Sequence, residues 1–248
     1  MNLSTIKRHR QKLGFEVGRP KFTPHIRENN KLKRLEFCRQ LQETCDSFDD
    51  VIFTDESSIQ LGCNRQHVVS KVVRNLKGKV VSRDRPNVTK VKHPLKVHVW
   101  GGISRNGATK LRVFSGIMNA EFFTNDILKD TLLPSINYLY PPPLSHRLWQ
   151  DNDPKHTSKK AKKFMEENNI NWFKTPAESP DLNVIENVWS KLKYEVSKQN
   201  PKNQKELMDS IIEVWETHLT REQCNRYIDH IYKVIPKVIE AEGGFSGC

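Results

Sequence analysis

What this chain lacks narrows it first. Nowhere in its 248 residues is there an apolar run of about eighteen, the length a helix needs to cross a bilayer. The opening Met-Asn-Leu-Ser-Thr-Ile-Lys-Arg-His-Arg has no apolar stretch of the kind a secretory signal carries. Cysteine is scarce: five residues (38, 45, 63, 224 and 248), odd in number and without a Cys-x-x-Cys pair. That speaks against a disulfide framework or a zinc site, and reduced thiols of an intracellular protein are the expectation. The 11 glycines never gather into a phosphate-cradling loop. There is no internal repeat and no low-complexity tract. Negative charge is short as well, with 29 Asp and Glu against 41 Lys and Arg, a net charge of +12.

What is present describes a polar but foldable chain, 36% hydrophobic with a mean hydropathy of −0.69, long enough to bury one full core. Its positive charge is concentrated. Residues 1–40 hold 11 Lys/Arg against 3 Asp/Glu, and residues 71–96 hold 9 against 1, each net +8, leaving the rest net −4. Two basic segments on a mildly acidic chain point to a polyanion, nucleic acid above all. A solvated basic face without a partner is the bland alternative.

Ser4 to Gly14 predicts a short basic helix, with Ser4 as N-cap and Gly14 as stop. Its candidate DNA contacts are Lys7, Arg8 and Arg10. The extended Gly18-Arg19-Pro20-Lys21 adds Arg19 and Lys21, in a form suited to a narrow minor groove. Thr23 and Pro24 read as the cap and first turn of a longer helix ending near Glu43. Runs over 51–54, 67–73, 97–103 and 110–114 predict strands, with a turn at Arg105-Asn-Gly107. The polar excursion over 74–96 reads as a loop or hairpin arm. Helical periodicity spans 119–139, strands follow at 146–150 and 171–173, and helices occupy 203–218, a segment from Thr220 with a Thr220/Gln223 capping box, and 232–240. This order, strand-rich, then mixed, then helical, predicts an α/β domain whose sheet is covered by helices.

Three acids stand out. Asp151 follows the strand-like Leu148-Trp149-Gln150. Glu186 opens a helix whose Ile185, Val188, Trp189, Leu192 and Val196 form an apolar stripe, and the helical step of about 100° sets Glu186 on the border of that stripe. Upstream, Val51-Ile-Phe-Thr-Asp55-Glu56 offers a third acid. It is either Asp55 or Glu56, because strand neighbours face opposite ways and only one reaches the site. Oxygen donors spread over two strand ends and a helix suit hard divalent cations. Asp153 and Pro154 read as the cap and first turn of a lysine-rich helix, on which Lys155, Lys159, Lys160 and Lys163 are candidates to hold phosphates.

Phe53-Thr-Asp55-Glu-Ser57, Val99-Trp-Gly-Gly102, Gln150-Asp-Asn-Asp-Pro-Lys-His156 and Ser179-Pro-Asp-Leu-Asn-Val-Ile-Glu186 occur in that order, with 34 residues between Asp151 and Glu186. Together they resemble the catalytic domain of the Tc1/mariner transposases, over about residues 46–245 and including a closing Glu242-Gly-Gly244. The resemblance implies an RNase H-like fold, a mixed central sheet flanked by helices, here with a basic N-terminal helical arm. It also implies a catalytic and metal-binding triad of Asp55, Asp151 and Glu186, which selects Asp55 over Glu56. Two Mg²⁺ or Mn²⁺ ions would sit about 3.5–4 Å apart. DNA cleavage at transposon ends, strand transfer into target DNA at TA, a homodimer in the DNA complex and a nuclear location follow from the same likeness. Asn152 and His156 match the family's motif in a supporting or DNA-contact role; for His156 a local hydrogen bond at a helix start is the plainer alternative.

Two departures accompany the resemblance. Val184 stands where the family usually has Pro, a small change at a first helical turn. The family also carries two helix-turn-helix units ahead of its catalytic domain, and this chain begins inside what resembles the last helix of the second. The expected organisation is a helix-turn-helix remnant at 1–17, a basic linker and linker helix at 18–45, and the catalytic domain at 46–248, with transposon-end recognition weakened. The competing expectation is a domesticated or decayed protein that binds DNA without cutting it.

Overall fold

The computed structural model describes residues 2–15, 23–62, 71–75, 78, 80–84, 92 and 94–248. In chain order these form α1 (Leu3–Lys12), α2 (Glu28–Glu43), β1 (Val51–Gln60), β2 (Lys71–Arg74), β3 (Val80–Asp84), β4 (Lys96–Ser104), β5 (Gly107–Ala108) and β6 (Arg112–Phe114). A helical run follows, made of α3 (Ala120–Phe122), a π-helical stretch (Phe123–Leu132) and α4 (Leu133–Leu139). Then come β7 (Arg147–Gln150), α5 (Lys159–Glu167), β8 (Trp172–Lys174), a 3₁₀ turn (Pro180–Leu182), α6 (Ile185–Gln199), α7 (Gln204–His218), α8 (Arg221–Asp229) and α9 (Ile231–Glu240).

The main sheet runs β5-β4-β1-β7-β8, with β6 also on β4. β4 pairs antiparallel with β1, whereas β7 lies parallel to both β1 and β8. Both faces are buried, which explains why β1 and β7 read as continuous apolar runs rather than alternating ones. Alternation nevertheless sorts their side chains. Val51 and Phe53 join Trp149 and the residues of α2 and α6 to α9 in one core. Ile52 points the other way, into a second core with Trp100, Leu148 and the helical run from Phe123. The Val99-Trp-Gly-Gly102 motif has a packing reason: a Cβ on Gly101 would stand 2.7 Å from Cη2 of the Trp215 ring on α7.

β2, in the strand expected at 67–73, pairs antiparallel with β3 inside the excursion over 74–96; residues 67–70 lie outside the described residues. Three helix starts differ from expectation. On α1 the cap is Asn2, whose side chain accepts from the Ser4 amide at 3.3 Å, so Ser4 is already helical. α2 begins at Glu28, not Thr23: residues 23–27 lie outside any helix, with Ile26 buried, Arg27 extended and its amide donating to Glu178 at 2.9 Å. α5 begins at Lys159, where Ser158 accepts from the Ala161 amide at 3.2 Å. Asp153 closes only a local turn, taking the Lys155 amide on its side chain at 3.0 Å and the His156 amide on its carbonyl at 2.9 Å. The π-helical stretch was not legible, since its apolar residues fit the ordinary helical period.

Cys38, Cys45, Cys224 and Cys248 are free thiols, and burial pushes Cys38 and Cys224 up to about 12. Among the described residues no helix is long and apolar enough to cross a membrane.

Candidate active site

Two of the acids are placed by strand pairing. Phe53 lies opposite Trp149 across the parallel β1–β7 pair, so Asp55 and Asp151, each two residues further on, stand level with one another. Neighbouring strands are about 4.8 Å apart. The Thr54 hydroxyl donates to the Trp149 carbonyl at 3.0 Å and locks this register one residue before Asp55.

The third acid arrives on α6. The Asn183 side-chain amide donates to the Thr54 carbonyl at 3.1 Å, and the Glu186 amide donates to the Asn183 carbonyl at 3.1 Å. One asparagine thus ties the first turn of α6 to the end of β1. An acid in that turn also sits favourably at the positive end of the helix dipole. The pleat puts Asp55 and Glu56 on opposite faces of β1. Asp55 shares the face of Val51 and Phe53, toward α6, while Glu56 shares the face of Ile52, toward Phe123.

The electrostatics register this convergence. Burial, followed by the negative charges of Glu56, Glu186 and Asp151, pushes the Asp55 carboxyl from 3.8 up to about 8. Asp151 goes the other way: burial would raise it, but the hydrogen bond and charge of His156 hold it below the usual carboxylate value. His156 is 2% exposed. Its Nδ1 lies 2.6 Å from Asp151 Oδ1 and its Nε2 lies 2.9 Å from Glu56 Oε1. Burial alone would lower its pKa, yet these two carboxylates raise it from 6.5 to about 9. Asn152 faces elsewhere, donating to the Thr175 carbonyl at 2.7 Å while the Thr175 hydroxyl donates back to the Gln150 carbonyl at 2.9 Å. It braces the end of β7 and does not join the acids.

The Ser-Pro-Asp-Leu-Asn motif has a support that sequence reasoning missed. Arg34 of α2 is wholly buried. It grips both oxygens of Asp181 at 2.8 Å, the Glu178 carbonyl at 3.1 Å, and the carbonyls of Gly243 and Gly244 at 2.8 and 3.1 Å. Gly243 has φ +82° and its Cβ position would fall 1.9 Å from the Lys31 carbonyl oxygen, so the closing glycine motif lies flat on α2. The expected linker helix rests on the core and also anchors the loop that delivers Glu186. One arginine among many in a basic helix carries no distinguishing signal in the sequence, whereas Asp181 and Asn183 were at least inside a quoted motif.

Among the described residues no three His, Cys, Asp or Glu side chains already close around a common point. The donor set nevertheless fits a hard divalent cation, since it offers carboxylate oxygens only. Asp151 and Glu186 are exposed. An apolar hollow of about 200 Å³ beside α6, lined by Leu192, Val214, Leu219 and Tyr227 among others, includes none of the three acids. Of the basic candidates, Lys159, Lys160 and Lys163 lie exposed on α5, and Lys7 and Arg8 are exposed on α1 with Arg10 partly covered. Lys155 is drawn into the acidic cluster, 2.8 Å from Asp153 and 3.5 Å from Glu56. Arg19 and Lys21 lie outside the described residues.

A mixed sheet with helices on both faces and carboxylates gathered where β1, β7 and α6 meet defines a class of enzyme. The sequence profile of the DDE superfamily endonucleases matches residues 50–208, and the chain belongs to that family. Within it, the chain is of the Tc1/mariner transposase type. It is 28% identical over 246 residues to the transposable element Tcb2 transposase of Caenorhabditis briggsae, covering 98% of this chain and 86% of the relative. It is 26% identical over 244 residues to the transposable element Tc1 transposase of Caenorhabditis elegans, covering 96% and 85%. Among solved structures, the Mos1 mariner paired end complex with Mn superposes with a TM-score of 0.77 at 17% identity, over 97% of this chain and 70% of that one. The catalytic domain of Mos1 mariner transposase gives 0.69 at 16% identity, over 90% and 99%. The fold is the RNase H-like one that the motifs implied.

Proposed function

We propose that this chain cleaves DNA and transfers the cut strand, with Asp55, Asp151 and Glu186 holding two Mg²⁺ or Mn²⁺ ions. The observation that carries the reading is geometric: strand pairing sets Asp55 and Asp151 level across β1 and β7, and Asn183 ties the first turn of α6, which bears Glu186, to the end of β1. Bound at that point, divalent cations supply activation of a water or a DNA 3′-hydroxyl and stabilise the leaving oxygen. The chain's own part is placement. β1 and β7 bring the main chain at Asp55 and Asp151 level with one another, and Asn183 ties the turn bearing Glu186 to the Thr54 carbonyl. No side chain is required as a nucleophile. The exposure of Asp151 and Glu186 leaves room for a polymer rather than a small substrate.

Support for the metals and for DNA comes from the Mos1 structures, described as paired end complexes with Mn and with Mg. The partner of this chain is double-stranded DNA, both transposon ends and a TA target, engaged by a homodimer in the nucleus. Lys159, Lys160 and Lys163 on α5 and Lys7, Arg8 and Arg10 on α1 hold phosphates, with Arg19 and Lys21 continuing the basic track between α1 and α2. Residues 46–248 act as the catalytic domain, and the segment before them serves DNA contact and anchoring.

The test is nicking of supercoiled plasmid with Mg²⁺ or Mn²⁺, comparing the wild-type chain with Asp151→Asn. Metal-dependent nicking that the substitution abolishes is the expected result. Salt-sensitive DNA binding without nicking would assign the chain instead to the non-cleaving DNA binders. Equal nicking by both proteins would sink the site assignment.

A further inference from the structure

Glu56 has no part in the proposed triad, although it is the immediate neighbour of Asp55 and is likewise a carboxylic acid. The pleat turns it to the opposite face, where its Oε1 lies 2.9 Å from Nε2 of His156. The ring is 2% exposed, packs on Phe123 with centroids 4.3 Å apart, and presents Nδ1 to Asp151 Oδ1 at 2.6 Å. The Asp153 amide reaches the same oxygen, at 3.1 Å. Both of these hydrogen bonds to the Asp151 carboxylate therefore end on Oδ1.

Asp151 follows the last residue of β7 and is exposed, so the sheet does not hold its side chain. What holds it is a rigid ring, and that ring is held in turn by Phe123 on its face and Glu56 at its far edge. We infer that Glu56 is a positioning residue: acting through His156, it fixes the Asp151 carboxylate so that Oδ2 is left for the cation. The inference rests on the metal-dependent reading above. It gives the Asp55-Glu56 pair a division of labour, one acid on each face of β1, the first toward the cation and the second toward the group that orients its neighbouring ligand. Partners of this outer kind typically change metal affinity or activity about 10- to 100-fold when removed.

The test is Mn²⁺ binding by electron paramagnetic resonance, with plasmid nicking alongside, on the full chain and on Glu56→Ala, Glu56→Gln, His156→Ala, the Glu56→Ala/His156→Ala pair and Asp151→Asn. The expected result is an Mn²⁺ affinity about 10- to 100-fold weaker in Glu56→Ala. Glu56→Gln, whose side-chain carbonyl still accepts from Nε2–H, should recover most of that loss. The double variant should be no worse than His156→Ala, because Glu56 acts through the ring. Glu56→Met, which keeps the length of the side chain, takes the place of the alanine variant if the latter does not fold. Wild-type affinity in Glu56→Ala or Glu56→Met overturns the inference. So does a Gln variant as weak as Ala with losses adding to those of His156→Ala, which would make Glu56 act by its own charge. A wild-type chain that binds no more Mn²⁺ than Asp151→Asn would instead sink the metal-dependent reading itself.

Discussion

Asp55 and His156 share a sign. The folded value of Asp55, about 8, lies above its ordinary 3.8, so its contribution to stability is full below 3.8 and is lost as pH rises through about 8. His156, raised from 6.5 to about 9, gives a contribution that is full below 6.5 and is lost as pH rises through about 9. In both cases the folded chain binds protons that the unfolded chain has released. The metal-free protein should therefore lose thermal stability progressively from about pH 3.8 to about 9, most steeply between 6.5 and 8 where both groups contribute. Asp55→Asn should raise its melting temperature at pH 8, and Mg²⁺ should do the same for the wild type. Melting curves across that range check this, and a flat profile would remove the electrostatic account. Arg34 makes a different kind of residue-scale prediction. Arg34→Ala leaves Asp181 buried without its partner and should cost about 3–5 kcal/mol in urea unfolding. Arg34→Met combined with Asp181→Leu should cost less than either change alone, because no charge is then left stranded.

At the level of elements, the site depends on how α6 and α7 are seated on β1 and β4. Asn183→Ala removes one hydrogen bond, worth about 1 kcal/mol of stability, yet that bond is the tie between the first turn of α6 and the strand bearing Asp55. Nicking should fall far more than the melting temperature does. Gly101→Ala tests the seating of α7 on β4, on the same face of the sheet. With Trp215 carbon only 2.7 Å from the added Cβ, overpacking should destabilise by about 1–3 kcal/mol, which equilibrium unfolding would register. The N-cap of α5 shows where element boundaries escape sequence reasoning. Asp153-Pro154 and Ser158 both carry helix-start chemistry; Ser158 caps the helix, and Asp153 closes the turn that carries His156.

For the whole molecule, the question is how the basic surface serves the acidic site. Lys159, Lys160 and Lys163 follow His156 closely in sequence, on the exposed side of α5, so on the proposed reading phosphates held there would lie next to the turn that carries His156. Replacing all three with Gln should weaken DNA binding. It should also shallow the log–log salt dependence by about 0.9 for each phosphate that is no longer neutralised. A fluorescence-anisotropy titration at several salt concentrations reads both. An unchanged slope would move the DNA track off α5.

Much of the architecture was legible because it rests on local chemistry. Apolar runs of β-branched and aromatic residues marked β1, β4 and β7, helical periodicity marked α6 and α7, and the spacing of Asp151 and Glu186 followed from where those elements begin and end. The tertiary structure alone decided three things. Whether Asp55 or Glu56 faces α6 depends on which face of β1 that helix covers, and the pleat by itself supplies only the alternation. His156 could have been a local helix-start residue; bridging Glu56 and Asp151, 100 and 5 residues away, takes the closure of β1 on β7. Arg34 became an anchor only when the Asp181 loop and the closing glycines reached it from 147 and 209 residues along the chain. Local propensity and periodicity are properties of neighbours in sequence. The partner of a buried charge is a property of neighbours in space.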